Sequence, residues 1–168
     1  NAIGDLEQLL LRTGIGYNLT ENNNNLLLGY GFINSQNFIA NTDEKAAVNE
    51  HRIFQQFITR QSFSRISFQH RYRFEQRFLE SDFKMRFRYF LSMNVALTNK
   101  TLVPKTLYLS AYNEIFINDR GGLFDRNRIY AGLGYKLTKK INFEIGYMNQ
   151  LFNQGSRDQI NLIGIINF

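Results

Sequence analysis

The chain has 168 residues, enough for one domain with its own core, and a formal charge of +6 at pH 7. It contains no cysteine, which excludes disulfides and thiolate metal sites, and no apolar run approaches the roughly 18 residues of a transmembrane helix. Its 9 Tyr and 16 Phe are a heavy aromatic load beside 20 Lys and Arg, so the order in which these residues alternate decides the reading.

Nine segments alternate with period two, the pattern of strands whose side chains point to opposite faces. Residues 6–19 place Leu9, Leu11, Ile15, Tyr17 and Leu19 on one parity, and Gln8, Arg12, Gly14, Gly16 and Asn18 on the other. An Asn-rich turn at 20–25 leads to a strand at 26–33. Residues 34–49 are polar without a period and read as the longest loop, before a strand of mixed faces at 50–59. Residues 65–78 set Ile66, Phe68, His70, Tyr72, Phe74 and Phe78 against Ser67, Gln69, Arg71, Arg73, Glu75 and Arg77. Residues 83–97 repeat this with Met85, Phe87, Tyr89, Leu91, Met93, Val95 and Leu97 against Lys84, Arg86, Arg88, Ser92 and Asn94. Strands at 106–118, 126–137, 141–152 and 159–168 complete the set. Gly14–Thr20 and Gly132–Thr138 echo each other, two hairpins that solve one packing problem alike. Their glycines fall on the polar parity and leave room for long side chains from neighbouring strands. No helix follows either Gly-x-Gly, so neither is a phosphate loop.

A soluble antiparallel sandwich also alternates. Here nearly every strand has the roughly 9–11 residues that cross a bilayer at a tilt. The connections at 20–25, 61–64, 98–105 and 138–140 read as turns, and those between them include the longer loop at 34–49 and the stretches at 118–125 and 153–158. The connection at 79–82 is too short to suit this alternation. An Arg facing lipid near mid-membrane costs about 2–4 kcal/mol, so the arginines must face a lumen, as their parity allows. Tyr17, Tyr30, Tyr72, Tyr89, Tyr135 and Tyr147 share the apolar parity and are expected to supply interfacial girdles. The expected fold is therefore one all-β domain over 1–168, an antiparallel up-and-down transmembrane β-barrel. With Phe168 on the periplasmic side, nine strands place Asn1 on the outer side. An odd number of strands is then expected ahead of Asn1, ten or twelve in all.

Several motifs resemble an uncharacterised family of Gram-negative outer-membrane β-barrels, catalogued as a domain of unknown function. They are Glu50-His-Arg52 with Gln55-Gln56, the run Arg71–Phe78, and Arg86–Tyr89. Tyr112–Phe116, Phe124–Arg128 and Tyr130–Tyr135 continue the set, so the likeness runs from Leu9 to Phe168. The resemblance implies a cell outer-membrane location, membrane lipid as surroundings, and a terminal Phe168 read by the outer-membrane assembly machinery. Proteins of this kind carry a signal peptide and further strands ahead of the equivalent of Leu9. The resemblance brings no activity with it.

Glu50, Arg52, Arg71, Arg73, Glu75, Arg77, Arg86, Arg88, Glu114, Arg126, Arg128 and Glu144 are expected to form an ionic network in the lumen, with Tyr112 beside them. Small barrels fill their interiors with side chains, and buried charges there must be paired. The sharper alternative is a narrow pore whose inward arginines favour anions. The arginines alternate with aromatics along strands instead of gathering on an exposed patch, so no nucleic-acid partner is expected.

Enzymatic work would need a nucleophile or activated water beside a base, and only two histidines exist. His70 shares the apolar parity, and His51 beside Glu50 reads as a strand rim. Asp43-Glu44, Asp119 and Asp125 match no calcium loop. No catalytic residue, cofactor or metal is assigned. The expected function is a structural or accessory outer-membrane barrel, a candidate subunit of a larger complex. Asn113 and Asn149, polar residues on the apolar parity, are the candidate contacts to other outer-membrane proteins.

Overall fold

The computed structural model describes residues 8–21, 23–38 and 45–166. Nine strands form one antiparallel sheet in chain order: β1 Gln8–Thr20, β2 Asn24–Phe38, β3 Lys45–Phe63, β4 Ile66–Leu79, β5 Phe83–Ala96, β6 Thr106–Asn118, β7 Phe124–Lys136, β8 Ile141–Phe152 and β9 Ser156–Ile166. Each strand pairs with its sequence neighbours, and among the described residues no ladder joins β1 to β9. The sheet curls into a half-barrel without helices among those residues. The up-and-down order and the strand number match the sequence expectation.

Two connections differ from it. Residues 34–49 are mostly ladder: Asn34 pairs with Asn49, Ser35 with Val48, and the pairing continues to Phe38 and Lys45. Polar residues stay in register here because backbone hydrogen bonds hold a strand pair whatever the side chains are. Likewise β3 runs through the expected turn at 61–64 as far as Phe63, and the chain reverses at Ser64, whose φ is 52°. The contrast of short turns at one end with long loops at the other is therefore weak. The connection between β5 and β6, at the end expected to carry short turns, spans residues 97–105. Arg65 caps it, donating to the carbonyls of Ala96, Leu97 and Asn99 at 3.4, 3.1 and 3.0 Å.

The curl shows in contacts that skip a strand. Arg71 of β4 reaches Glu114 of β6, Arg86 of β5 reaches Asp125 of β7, and Tyr108 of β6 reaches Glu144 of β8. Neighbouring strands lie about 4.8 Å apart, so side chains two strands away meet only where the sheet bends toward them. This concave face holds the polar parity, and the convex face holds the apolar one. Tyr17 and Tyr135 lie near strand ends, as a girdle requires. Tyr72 and Tyr89 instead pair at mid-strand with ring centroids 5.0 Å apart.

The echoed glycines differ in use. A Cβ at Gly134 would overlap the Tyr108 ring, and one at Gly132 would overlap the Tyr130 hydroxyl and lie 2.6 Å from the Ile145 carbonyl. Both leave room for rings, as expected. Gly14 instead permits close backbone approach, since its Cβ would lie 2.9 Å from the Leu28 carbonyl.

Candidate functional site

Strand alternation sends every second residue of β3, β4, β5 and β7 to the concave face, and the register then decides which charges meet. Glu75 lies opposite Arg86 across the β4–β5 ladder and has 0% exposed surface. Its Oε2 accepts from Arg86 Nε and Nη2 at 2.9 and 2.7 Å, and its Oε1 from Arg88 Nη1 at 2.8 Å. Arg88 also donates to Glu114 Oε1 at 2.6 Å, and Arg71 donates to the same oxygen at 2.7 Å. Glu50 takes a two-pronged contact from Arg77, both bonds 2.8 Å, and a further pair from Arg52. These are charge-assisted bonds on guanidinium forks, the strong class for buried ions.

Aromatic rings complete the site. The Phe116 ring has the guanidinium carbons of Arg88, Arg128, Arg86 and Arg126 at 4.4, 5.0, 5.4 and 5.7 Å from its centroid. Arg71 lies over Phe90 and Arg73 over Phe54, each at 4.5 Å. A ring face attracts a cation without itself being charged, so these aromatics hold guanidiniums that carboxylates do not fully neutralise.

The network thus contains all the expected residues except Glu144. That carboxylate faces the concave side but accepts from the Tyr108 hydroxyl at 2.8 Å and the Tyr130 hydroxyl at 3.4 Å. Tyr112 and Tyr130, stacked with centroids 4.8 Å apart, fill the adjoining space. Gly132 and Gly134 are the reason, because bare backbone beside Glu144 admits tyrosine rings.

Sequence reasoning missed Phe54, Phe90, Phe116, Asp125 and Gln56, whose Oε1 accepts from Arg73 Nε at 2.9 Å, as members. The inward aromatics left a signal: Phe54 shares the parity of Glu50 and Arg52 and made that strand read as mixed. Asp125 left none. The β6–β7 register passes from Phe116–Arg126 to Ile117–Phe124, so Asp125 is the extra residue of a bulge. A bulge re-aims a side chain, and Asp125 reaches Arg86 Nη1 at 3.2 Å instead of facing outward.

Other candidates separate. His51 is on the convex face, its Nδ1 2.6 Å from the Tyr30 hydroxyl, while Glu50 is on the concave face. His70 Nδ1 lies 2.8 Å from the Tyr89 hydroxyl. Asp119 accepts from the Met85 amide at 2.9 Å. Asn113 donates to Asn127 and Asn149 to Asp158, at 2.9 and 2.6 Å, two polar links on the convex face. Among the described residues no three His, Cys, Asp or Glu gather as a metal site would require. Phe168 and Asp43-Glu44 lie outside the described residues.

The sheet thus sets a charged, aromatic-lined concave face behind an apolar convex one. Residues 1–161 match the family described as protein of unknown function, DUF2490. The chain belongs to this family. It is similar to an uncharacterized protein of Methylorubrum extorquens, with 30% identity over 159 residues that cover 89% of this chain and 66% of that protein. This DUF2490 chain thus spans just under two thirds of that relative's length. No solved structure matches it.

Proposed function

We propose that this DUF2490 chain forms wall of an outer-membrane β-barrel, with a structural or accessory role and no catalytic one. The convex face carries the reading. Along the outward positions of β1, β2 and β4–β9, and of β3 from Ala47 onward, Asp158 is the only charged residue. Ile15, Ile160 and Leu162 are exposed by 84, 80 and 80%, and Leu28, Phe143 and Ile145 lie open beside them. A soluble monomer rarely shows a continuous apolar patch above a few hundred Å². Lipid is the surrounding in which such a face costs nothing. The paired concave interior supports a structural role, because its carboxylates are engaged by arginines and tyrosines.

The test is Leu109→Arg in the full-length protein, with folding measured in lipid vesicles. Leu109 is open on the convex face of β6. In lipid, the change should cost about 2–4 kcal/mol. In water, an exposed Leu→Arg falls within about 0.5 kcal/mol of neutral. Recovery of the full-length protein as a soluble monomer without detergent would sink the membrane reading. The accessory role predicts a stoichiometric partner in native-membrane purifications, and a bare monomer in mild detergent counts against it.

A second reading is a small anion-preferring pore, favoured by the excess of concave arginine over carboxylate. Folded protein that gives no conductance in a planar bilayer removes it.

A further inference from the structure

We propose that the free edge of β1 receives a further antiparallel strand of the full-length protein, which lays an apolar ring of the phenylalanine class over Gly16. The starting observation is a repeated register. Gly14 stands opposite Gly29 across the β1–β2 ladder, and Gly132 stands opposite Gly146 across the β7–β8 ladder. Both hairpins run Gly-x-Gly-Tyr-x-Leu-Thr into the turn. There the Thr20 hydroxyl accepts from the Asn24 amide at 3.1 Å, and the Thr138 hydroxyl from the Ile141 amide at 3.0 Å. Gly16 of β1 is therefore the counterpart of Gly134 of β7.

The two glycines differ in what covers them. β7 has a second neighbour, β6, which sets Tyr108 directly opposite Gly134, and a Cβ at Gly134 would overlap that ring. Phe54 of β3 covers Gly29 in the same way, also from the directly opposite position. Gly29 and Gly134 are buried. Gly16 is exposed, and a Cβ there would meet only ordinary contacts, the Asn25 side chain at 3.4 Å and the Leu26 carbonyl at 3.5 Å. Nothing among the described residues thus requires glycine at 16, although glycine inside a strand forfeits packing and loses more entropy on folding. A ring arriving from the unpaired side supplies the reason, since an aromatic across from a strand glycine covers its bare backbone. Tyr108 gives its hydroxyl to Glu144, which stands opposite Gly134 on β8. Leu27 holds the place opposite Gly16, so the ring there needs no hydroxyl.

The edge itself calls for the strand. Among the described residues β1 pairs with β2 alone, so one side of its backbone lacks partners, which lipid does not tolerate. Every neighbouring pair is antiparallel, so β9 runs in the direction of β1 and a direct β1–β9 closure would be parallel. A second copy in the same orientation would offer β1 or β9, again parallel. Single-chain barrels of bacterial outer membranes use even numbers of antiparallel strands. The Methylorubrum relative has length for such a strand beyond the 66% that is matched. The need for a partner rests on the membrane reading; the glycine register does not.

The experiment replaces Tyr17, exposed on β1 beside Gly16, with photoreactive p-benzoylphenylalanine in the full-length protein folded in vesicles. Irradiation and mass spectrometry should join position 17 to a segment of the same polypeptide outside residues 1–168. Joining to β9, to another protein, or to β2 alone overturns the proposal. Gly16→Ala then tests the ring. It should lower the temperature at which the folded gel band is lost by at least about 2 °C, as Gly134→Ala should. An unchanged or raised temperature overturns the ring, because alanine on an uncovered strand is neutral or stabilising. Failure of either arm while Leu109→Arg stays costly leaves the membrane reading standing. A soluble monomer that still joins and still weakens with Gly16→Ala defeats the membrane reading and supports the strand.

Discussion

Glu75 and Glu144 both face the concave side of the same sheet, yet they are held by different chemistry. Glu75 sits among guanidiniums, with Arg86 and Arg88 in direct contact and Arg52 and Arg73 at 3.6 Å. Glu144 sits among hydroxyls, over a strand thinned by Gly132 and Gly134. In the first region the carboxylate is what allows several like charges to coexist. In the second, neutral donors satisfy one carboxylate, and among the described residues no cation is paired with it. The same residue type therefore carries different weight, and the difference follows from what is left behind on its removal.

The comparison breaks most readily at Glu75. Glu75→Gln should cost about 3–5 kcal/mol in denaturant unfolding of the vesicle-folded protein, because it leaves Arg86 and Arg88 buried with an uncharged partner. A loss below that of Glu144→Gln would overturn the ranking. Next comes the glycine floor of the tyrosine region. Gly132→Ala should cost about 1–3 kcal/mol by overpacking, since its Cβ meets the Ile145 carbonyl as well as Tyr130. Thermal unfolding reads this, and a neutral result would mean the tyrosine rings yield freely. The smallest effect is expected at Glu144→Gln, about 1 kcal/mol, because the amide oxygen still accepts from Tyr108 and strands no charge. A loss as large as that at Glu75 would place Glu144 in the arginine field after all.

The sequence disclosed the faces of these strands better than their partners. The strands at 106–118 and 141–152 lie where the alternation places them, because a two-residue period stays visible in an apolar row interrupted at one position only, Asn113 in the first and Asn149 in the second. The stretch at 34–49 was illegible, because its pairing rests on backbone bonds that leave no mark in the side-chain pattern. At the site, eleven of the twelve expected ionic residues meet in one network. Glu144 departs from it because register and glycine placement, not parity, put Tyr108 within reach.

What the chain determines locally is the direction of each side chain, since alternation follows from the geometry of an extended backbone. That alone separates an arginine-bearing face from an aromatic and aliphatic one. Which charges touch is decided by the curl of the sheet, the register of its ladders and the bulge that turns Asp125 inward. Those depend on how nine strands settle against one another, so Arg71 and Glu114 become partners across 43 residues of chain only once the sheet has formed.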